Sequence, residues 1–210
     1  DAPDITIAVI DSGICSAHPD LQGKVLAGWD FVDYDNDPED AYGHGCGVAG
    51  VIAAKNNNGV GIAGIAPNAR IMPLRVLDNL GLGKYSSIAN AVIYAADNGA
   101  QIINMSLAGP NESAIVSDAI DYAIERGVTI VAASGNAGDT RVWFPASHPS
   151  VIAVGSIDQS LEMSSFTNHD DNLDILAPGR NILTTNMLGD YELMTGTSFA
   201  SPHVAGAAAL

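Results

Sequence analysis

Four residues of this chain are of types that together perform acyl transfer: Asp11, His44, Asn136 and Ser198. That reaction needs a nucleophile, a base that takes its proton, a group that orients the base, and donors for the oxyanion. Ser198 follows Thr195-Gly196-Thr197, where Gly196 permits a close approach. A helix starting there turns backbone N–H groups toward developing negative charge. His44 lies between Gly43 and Gly45, which leave room for a substrate against its ring. Asp11, at a strand end, can hold the other imidazole nitrogen, and Asn136 offers a side-chain amide to an oxyanion. Each residue alone has an ordinary reading: Asp11 as a turn former, His44 as a polar contact, Ser198 as an N-cap, Asn136 as a turn residue. Their joint occurrence in glycine-marked motifs favours the chemical one.

These residues need elements to position them. Short β-branched runs predict buried strands over 5–10, 71–77, 102–105, 129–133 and 151–155. Helices are predicted over 44–54, 86–98 and 113–126, the last stopped by Gly127, and a further one begins near Ser198. Continuous apolar strands separated by helices imply an α/β fold: three layers, with a mainly parallel β-sheet flanked by helices. Ligands of such sheets sit at the carboxyl ends of the strands. Asp11-Ser12-Gly13, the stretch 104–109 and Ser134-Gly135-Asn136 all fall there.

Composition narrows the partners. The 210 residues include 22 glycines, 47% hydrophobic and only 15% charged residues, which describes one compact domain. Twenty-four acidic against eight basic residues give a net charge of −16, a field that repels phosphate backbones and excludes nucleic acid as a natural partner. No apolar run approaches the ~20 residues of a membrane span, and no signal peptide opens the sequence.

The motifs Asp11-Ser12-Gly13, His44-Gly45 followed by Val48-Ala49-Gly50, Ser134-Gly135-Asn136, and the run from Gly196 to Gly206 (GTSFASPHVAG) resemble those of the subtilisin-like serine proteases, or subtilases. The order aspartate, histidine, serine is also theirs. The resemblance implies an endopeptidase with a seven-stranded, mainly parallel sheet. Ser198 would be the nucleophile, His44 the general base and then acid, and Asp11 the orienting carboxylate. Asn136 and the Ser198 N–H would form the oxyanion hole. It further implies a groove in which Gly81-Leu82-Gly83 and Ser106-Leu107-Ala108-Gly109 bracket an extended peptide. Ala132, Ala133 and Gly135 would line an uncharged pocket favouring apolar or aromatic residues before the scissile bond. Leu77 and Tyr85 would wall a second pocket, or else pack in the core. Phe144-Pro145 resembles a cis-proline turn of the family.

The sequence departs from that pattern in places. Cys46 stands where threonine is usual: a thiol beside the histidine implies sensitivity to mercurials, or simply a small residue at a tight helix start. Whether Cys15 pairs with Cys46 stays open. Ala108 replaces a glycine and Phe199 a methionine. The chain is expected to be a catalytic domain spanning 1–210, incomplete at both termini.

Two calcium loops of the family have counterparts. One is the acidic run with Asp30, Asp33, Asp35 and Asp37, which could equally be a solvated loop; the other pairs Asp20 with Asn56, Asn58, Val60 and Ile62. The resemblance thus implies structural calcium, no organic cofactor, polypeptide substrates, a pro-segment as partner, a monomer, and secretion to the extracellular medium. Gly59-Val60-Gly61-Ile62-Ala63-Gly64 matches a dinucleotide fingerprint as a string, but Pro67 follows where its helix should begin. Two other functions compete: a non-catalytic subtilase-like module that binds peptides, and an acid-acting serine-carboxyl peptidase. The second of these replaces the histidine by glutamate.

Overall fold

The computed structural model describes residues 5–210. The chain runs through β1 (Thr6–Asp11), β2 (Trp29–Asp30), α1 (His44–Ala53), β3 (Arg70–Arg75), α2 (Tyr85–Asp97), β4 (Ile102–Met105) and α3 (Ala114–Glu125). It continues through β5 (Thr129–Ala133), β6 (Ile152–Ile157), β7 (Ile175–Pro178), the pair β8 (Ile182–Thr185) and β9 (Tyr191–Met194), and α4 (Thr197–Ala208). Seven strands form one sheet in the order β2-β3-β1-β4-β5-β6-β7, and every neighbouring pair is parallel. Strands β8 and β9 form a separate antiparallel hairpin.

The three layers follow from the two-residue period of a strand. In β1, Ala8 and Ile10 pack with Ile88 and Val92 of α2 and Ile120 of α3. Ile7 and Val9 point the other way, to Val48 and Ile52 of α1 and Ala200 of α4. Both faces of the sheet are therefore covered, and its strands read as apolar runs without alternation. Ile7, Ile10, Ile71, Leu74 and Ile103 are fully buried, so truncating any of them to alanine costs about 2–5 kcal/mol.

The three expected helices and five expected strands occur within one or two residues of their predicted limits, and the fourth helix starts at Thr197. Three features were not predicted. Strand β2 is only two residues long, and β7 is an edge strand whose Ile175 and Leu176 are exposed. The β8–β9 hairpin lies outside the main sheet, with Leu183 and Leu193 open to solvent. Among the described residues no helix is long and apolar enough to cross a membrane.

The strand order reverses between β1 and β4. In open parallel sheets a crevice forms at such a point, outside the carboxyl ends of the strands. Asp11 ends β1, and Asn104 to Ser106 leave β4, at that reversal.

Candidate active site

Asp11 is fully buried, and its Oδ1 lies 2.7 Å from His44 Nδ1. The same oxygen accepts the Ser12 N–H at 2.7 Å, while Oδ2 is buried without a partner. With the carboxylate ionised, His44 donates from Nδ1, which leaves Nε2 as the acceptor a general base needs. Burial pulls the His44 pKa down, but the charge and hydrogen bond of Asp11, helped by the charge of Asp40, outweigh it, so the pKa lies above 6.5.

His44 is the first residue of α1, and the turn that delivers it is fastened to the exit of β1. Gly45 donates its N–H to Ser12 Oγ at 2.9 Å, and a side chain at Gly45 would collide with the Gly13 backbone. Asp40 does the rest. Its Oδ1 accepts the N–H groups of Tyr42 (2.9 Å) and Gly43 (2.7 Å), and its Oδ2 accepts that of Cys46 at 2.9 Å. Its own N–H donates to the Ile14 carbonyl at 2.9 Å. One carboxylate thus satisfies orphan donors at the start of α1 and ties them to the Asp11 strand. Sequence reasoning passed over Asp40 because it sits among other aspartates. Cys15 and Cys46 form a disulfide across the same joint, with Cα atoms 5.3 Å apart. Cys46 therefore carries no free thiol, and the expected mercurial sensitivity is withdrawn.

Ser198 occupies the first turn of α4. Four residues on, Pro202 sits inside the helix and has no N–H to give the Ser198 carbonyl. That carbonyl instead accepts the Ser106 hydroxyl at 2.7 Å, and Ser106 Oγ in turn accepts Asn104 Nδ2 at 2.9 Å. Ser201 Oγ donates to Asn104 Oδ1 at 2.6 Å. The helix that carries the serine is thereby pinned to the end of β4. Ser198 Oγ donates to the Ser106 carbonyl at 3.2 Å rather than to His44. In substrate-free sites such bonds often tighten only in the complex.

Asn136 Oδ1 accepts both the N–H of Thr197 (2.8 Å) and its hydroxyl (2.9 Å). This fixes the amide orientation and leaves Nδ2 unengaged on a cleft shared with Ser198. That cleft, of about 530 Å³, also contains His44, whereas Asp11 lies behind the ring.

The expected groove segments line the same cleft: Leu77, Gly81 and Gly83 from the β3–α2 connection, Tyr85 from the start of α2, and Ser106, Leu107, Ala108 and Gly109 from the chain leaving β4. Ala133 and Gly135 join them from β5 and its exit, but Ala132 is fully buried and contributes nothing to the wall. Leu77 is 8% exposed and packs in the core while one side of it meets the cleft, whereas Tyr85 is 41% exposed on the cleft wall. Thr197 of the Gly196–Gly206 motif also lines the cleft, as do Trp143 and Tyr42, which no sequence signal marked. Gly109 pairs with Phe144, and the Phe144–Pro145 bond is cis. Among the described residues no Asp, Glu, Lys or Arg lines the cleft.

The two expected metal loops differ. Arg75 is buried and forms ion pairs with Asp30 and Asp33, while Asp30 Oδ1 also accepts the Val32 N–H at 2.6 Å. Asp35 caps the Asp37 N–H at 2.9 Å. A guanidinium thus engages Asp30 and Asp33 at the start of this acidic run. Asp20 has no ion-pair partner among the described residues, though it is fully buried. It accepts Asn58 Nδ2 (2.6 Å), the Ile62 N–H (3.2 Å) and the Tyr191 hydroxyl (2.9 Å). Burial and the Asp20 bond push the Tyr191 pKa up to about 12. The backbone carbonyls of Asn56, Val60 and Ile62 accept no backbone hydrogen bond among the described residues. Asp20 thus offers a buried carboxylate, and these carbonyls offer further oxygens, of the hard kind calcium takes. Among the described residues no three His, Cys, Asp or Glu side chains cluster as metal ligands.

This geometry defines a hydrolase-like site on a parallel α/β sheet, and comparison with known proteins gives its class. The chain belongs to the subtilase family, whose profile (Peptidase_S8) matches residues 2–210. It is 51% identical over 204 residues to the thermophilic serine proteinase of Bacillus sp. (strain AK1), covering 97% of this chain and 51% of that protein. It is 48% identical over 204 residues to thermitase of Thermoactinomyces vulgaris, covering 97% of this chain and 73% of that protein. The chain thus spans about half the length of the first relative. A crystal structure of a cold adapted subtilisin-like serine proteinase superposes with a TM-score of 0.90 at 38% identity, covering 100% of this chain and 77% of that one.

Proposed function

We propose that residues 1–210 form the catalytic part of a serine endopeptidase that cleaves polypeptides through an acyl-enzyme. Ser198 Oγ attacks the scissile carbonyl while His44 Nε2 takes its proton, later returning it to the leaving amine. Asp11 holds the ring through Nδ1 and stabilises the imidazolium. The Asn136 amide and the Ser198 N–H receive the oxyanion, and removing one such donor costs about 10²–10³ in turnover. The observation that carries this reading is the 2.7 Å Asp11–His44 bond behind a cleft that His44 and Ser198 share.

The uncharged walls around Ala133 and Gly135 support a preference for apolar or aromatic residues before the scissile bond. A peptide would pair with the backbones of the 81–83 and 106–109 segments, since strand addition reads any extended chain. Calcium, where bound, would take Asp20 with oxygens of Asn56, Asn58, Val60 and Ile62. It would stabilise the fold and touch no reacting atom. Secretion, a monomeric state and folding assisted by a pro-segment belong to the same proposal.

A sulfonyl fluoride or organofluorophosphate should label Ser198 of the folded protein at neutral pH and abolish cleavage of an apolar peptide ester. The Ser198→Ala variant should show neither. Cleavage by a folded chain whose Ser198 stays unlabelled would sink the assignment.

A further inference from the structure

The loop that carries Asn136 has its own fastening, on a residue with no part in the chemistry above. We infer that Asn168 is a positioning residue for the oxyanion donor, a role that rests on the proposed peptidase reading. Asn168 is fully buried and stands far from Asn136 in sequence, in the connection between β6 and β7. Its Oδ1 accepts the N–H groups of Ala137 at 2.8 Å and Asp139 at 3.0 Å. Its own N–H donates to the Gly135 carbonyl at 3.1 Å. Asn136 is therefore flanked on both sides by residues that one asparagine holds.

Neighbouring bonds extend the clamp. Gly138 donates to the Phe166 carbonyl at 2.7 Å, and His169 to the Asp139 carbonyl at 3.0 Å. Gly135 adopts φ of 109°, and a side chain there would run into Asn168 Nδ2. That nitrogen is buried without a partner among the described residues. The unpartnered NH₂ opposes burial of this side chain, and the two accepted bonds offset it. A leucine or alanine would avoid that cost in a merely packed core. What asparagine adds is the pair of backbone bonds that set where residues 135–139 lie. Asn136 itself accepts from Thr197 on α4, so its Nδ2 is fixed from two sides: by α4 through the side chain and by Asn168 through the backbone. Displacing a catalytic donor by about 1 Å costs on the order of 10²-fold in rate.

The test begins on the wild type, by amide hydrogen exchange. Ala137 and Asp139 should exchange slowly, and exchange at the rate of open loops would overturn the inference whether or not the protein is an active peptidase. In Asn168→Ala those two amides should exchange at least about tenfold faster, with kcat lower by about 10–100-fold and KM changed less than about twofold. In an Asn136→Ala background the same substitution should change kcat less than about twofold, because the donor it positions is gone. An equal kcat loss in both backgrounds, or a loss confined to KM, would overturn the proposal. If Asn168→Ala does not fold, Asn168→Ser carries the same cycle. An inactive wild type with protected Ala137 and Asp139 would instead refute the peptidase reading.

Discussion

The disulfide between Cys15 and Cys46 offers a quantitative check, because it spans the joint between the Asp11 strand and the His44 helix. The bond closes a loop with a sequence separation of 31. In the chain-entropy account, restricting a loop of that size in the unfolded chain stabilises the fold by about 3–4 kcal/mol. For a domain of this length, 1 kcal/mol moves the melting temperature by about 2–4 °C, so replacing both cysteines by alanine should lower it by roughly 10 °C. Catalysis should change far less. Asp40 still binds the Tyr42, Gly43 and Cys46 N–H groups, and Gly45 still binds Ser12 Oγ, so the Asp11–His44 geometry keeps its backbone ties. We expect kcat/KM at 25 °C within about threefold of wild type. The assay is a thermal melt of sulfonyl-fluoride-treated protein, which prevents autolysis, beside initial rates on a peptide ester. Native protein should also show no thiol reactive toward mercurials until it is reduced. An unchanged melting temperature would refute the stabilising role. A tenfold loss of kcat/KM at unchanged melting temperature would show that the bond, and not Asp40, sets the catalytic geometry.

The titration of His44 gives a second test. The acid limb of kcat/KM should lie above pH 6.5, since the Asp11 and Asp40 charges outweigh burial, and Asp40→Asn should move it downward. The stability contribution runs the other way: the raised pKa favours the folded protein while His44 is protonated, and this is lost as pH rises through that pKa. A limb unmoved by Asp40→Asn would remove Asp40 from the electrostatics of the site. Calcium should raise the melting temperature of the wild type, and Asp20→Asn should abolish that rise. Coincident melts of the wild type in calcium and in chelator would dismiss the metal.

The four residues proposed for catalysis were legible in the sequence because each sits in a short motif whose glycines have a structural cause. Gly45 must pass the Gly13 backbone, and Gly196 begins the turn before Ser198. The groove was legible for a related reason: its walls are the residues that immediately follow β3, β4 and β5. Strands β1 and β3 to β6 were readable because burial on both faces makes them continuously apolar. Strand β7 was not, since an exposed edge loses that signature. Asp40 and Asn168 escaped notice for a different reason. Their work is done on backbone N–H groups, which any sequence supplies, so only the path of the chain reveals which donors each one meets. Arg75 inside the acidic run is the sharpest case: local sequence offers four aspartates to a cation, and the register of β3 delivers a guanidinium instead.

Turn chemistry accounts for part of the acidic excess. Aspartates accept backbone N–H groups throughout the loops: Asp30 from Val32 and Asp33, Asp78 from Leu80 and Leu82, Asp158 from Ser160 and Glu162. Asp170 binds Asn172 and Val142, and Asp174 binds Ala153. A short carboxylate folds onto its own turn in a way that lysine and arginine cannot, so a chain with many tight loops gathers aspartate without needing a cationic partner. The Leu82 and Leu80 N–H groups hold the Asp78 carboxyl below its usual range. Asp11 and Asp40 follow the same rule at the site. Asp11 binds the next N–H along the chain with the oxygen that holds His44, and Asp40 fastens the turn from which the histidine projects. Part of the net charge of −16 is thus a property of how this fold closes its turns, and Asp11, the carboxylate proposed for catalysis, is one such aspartate with a histidine to orient.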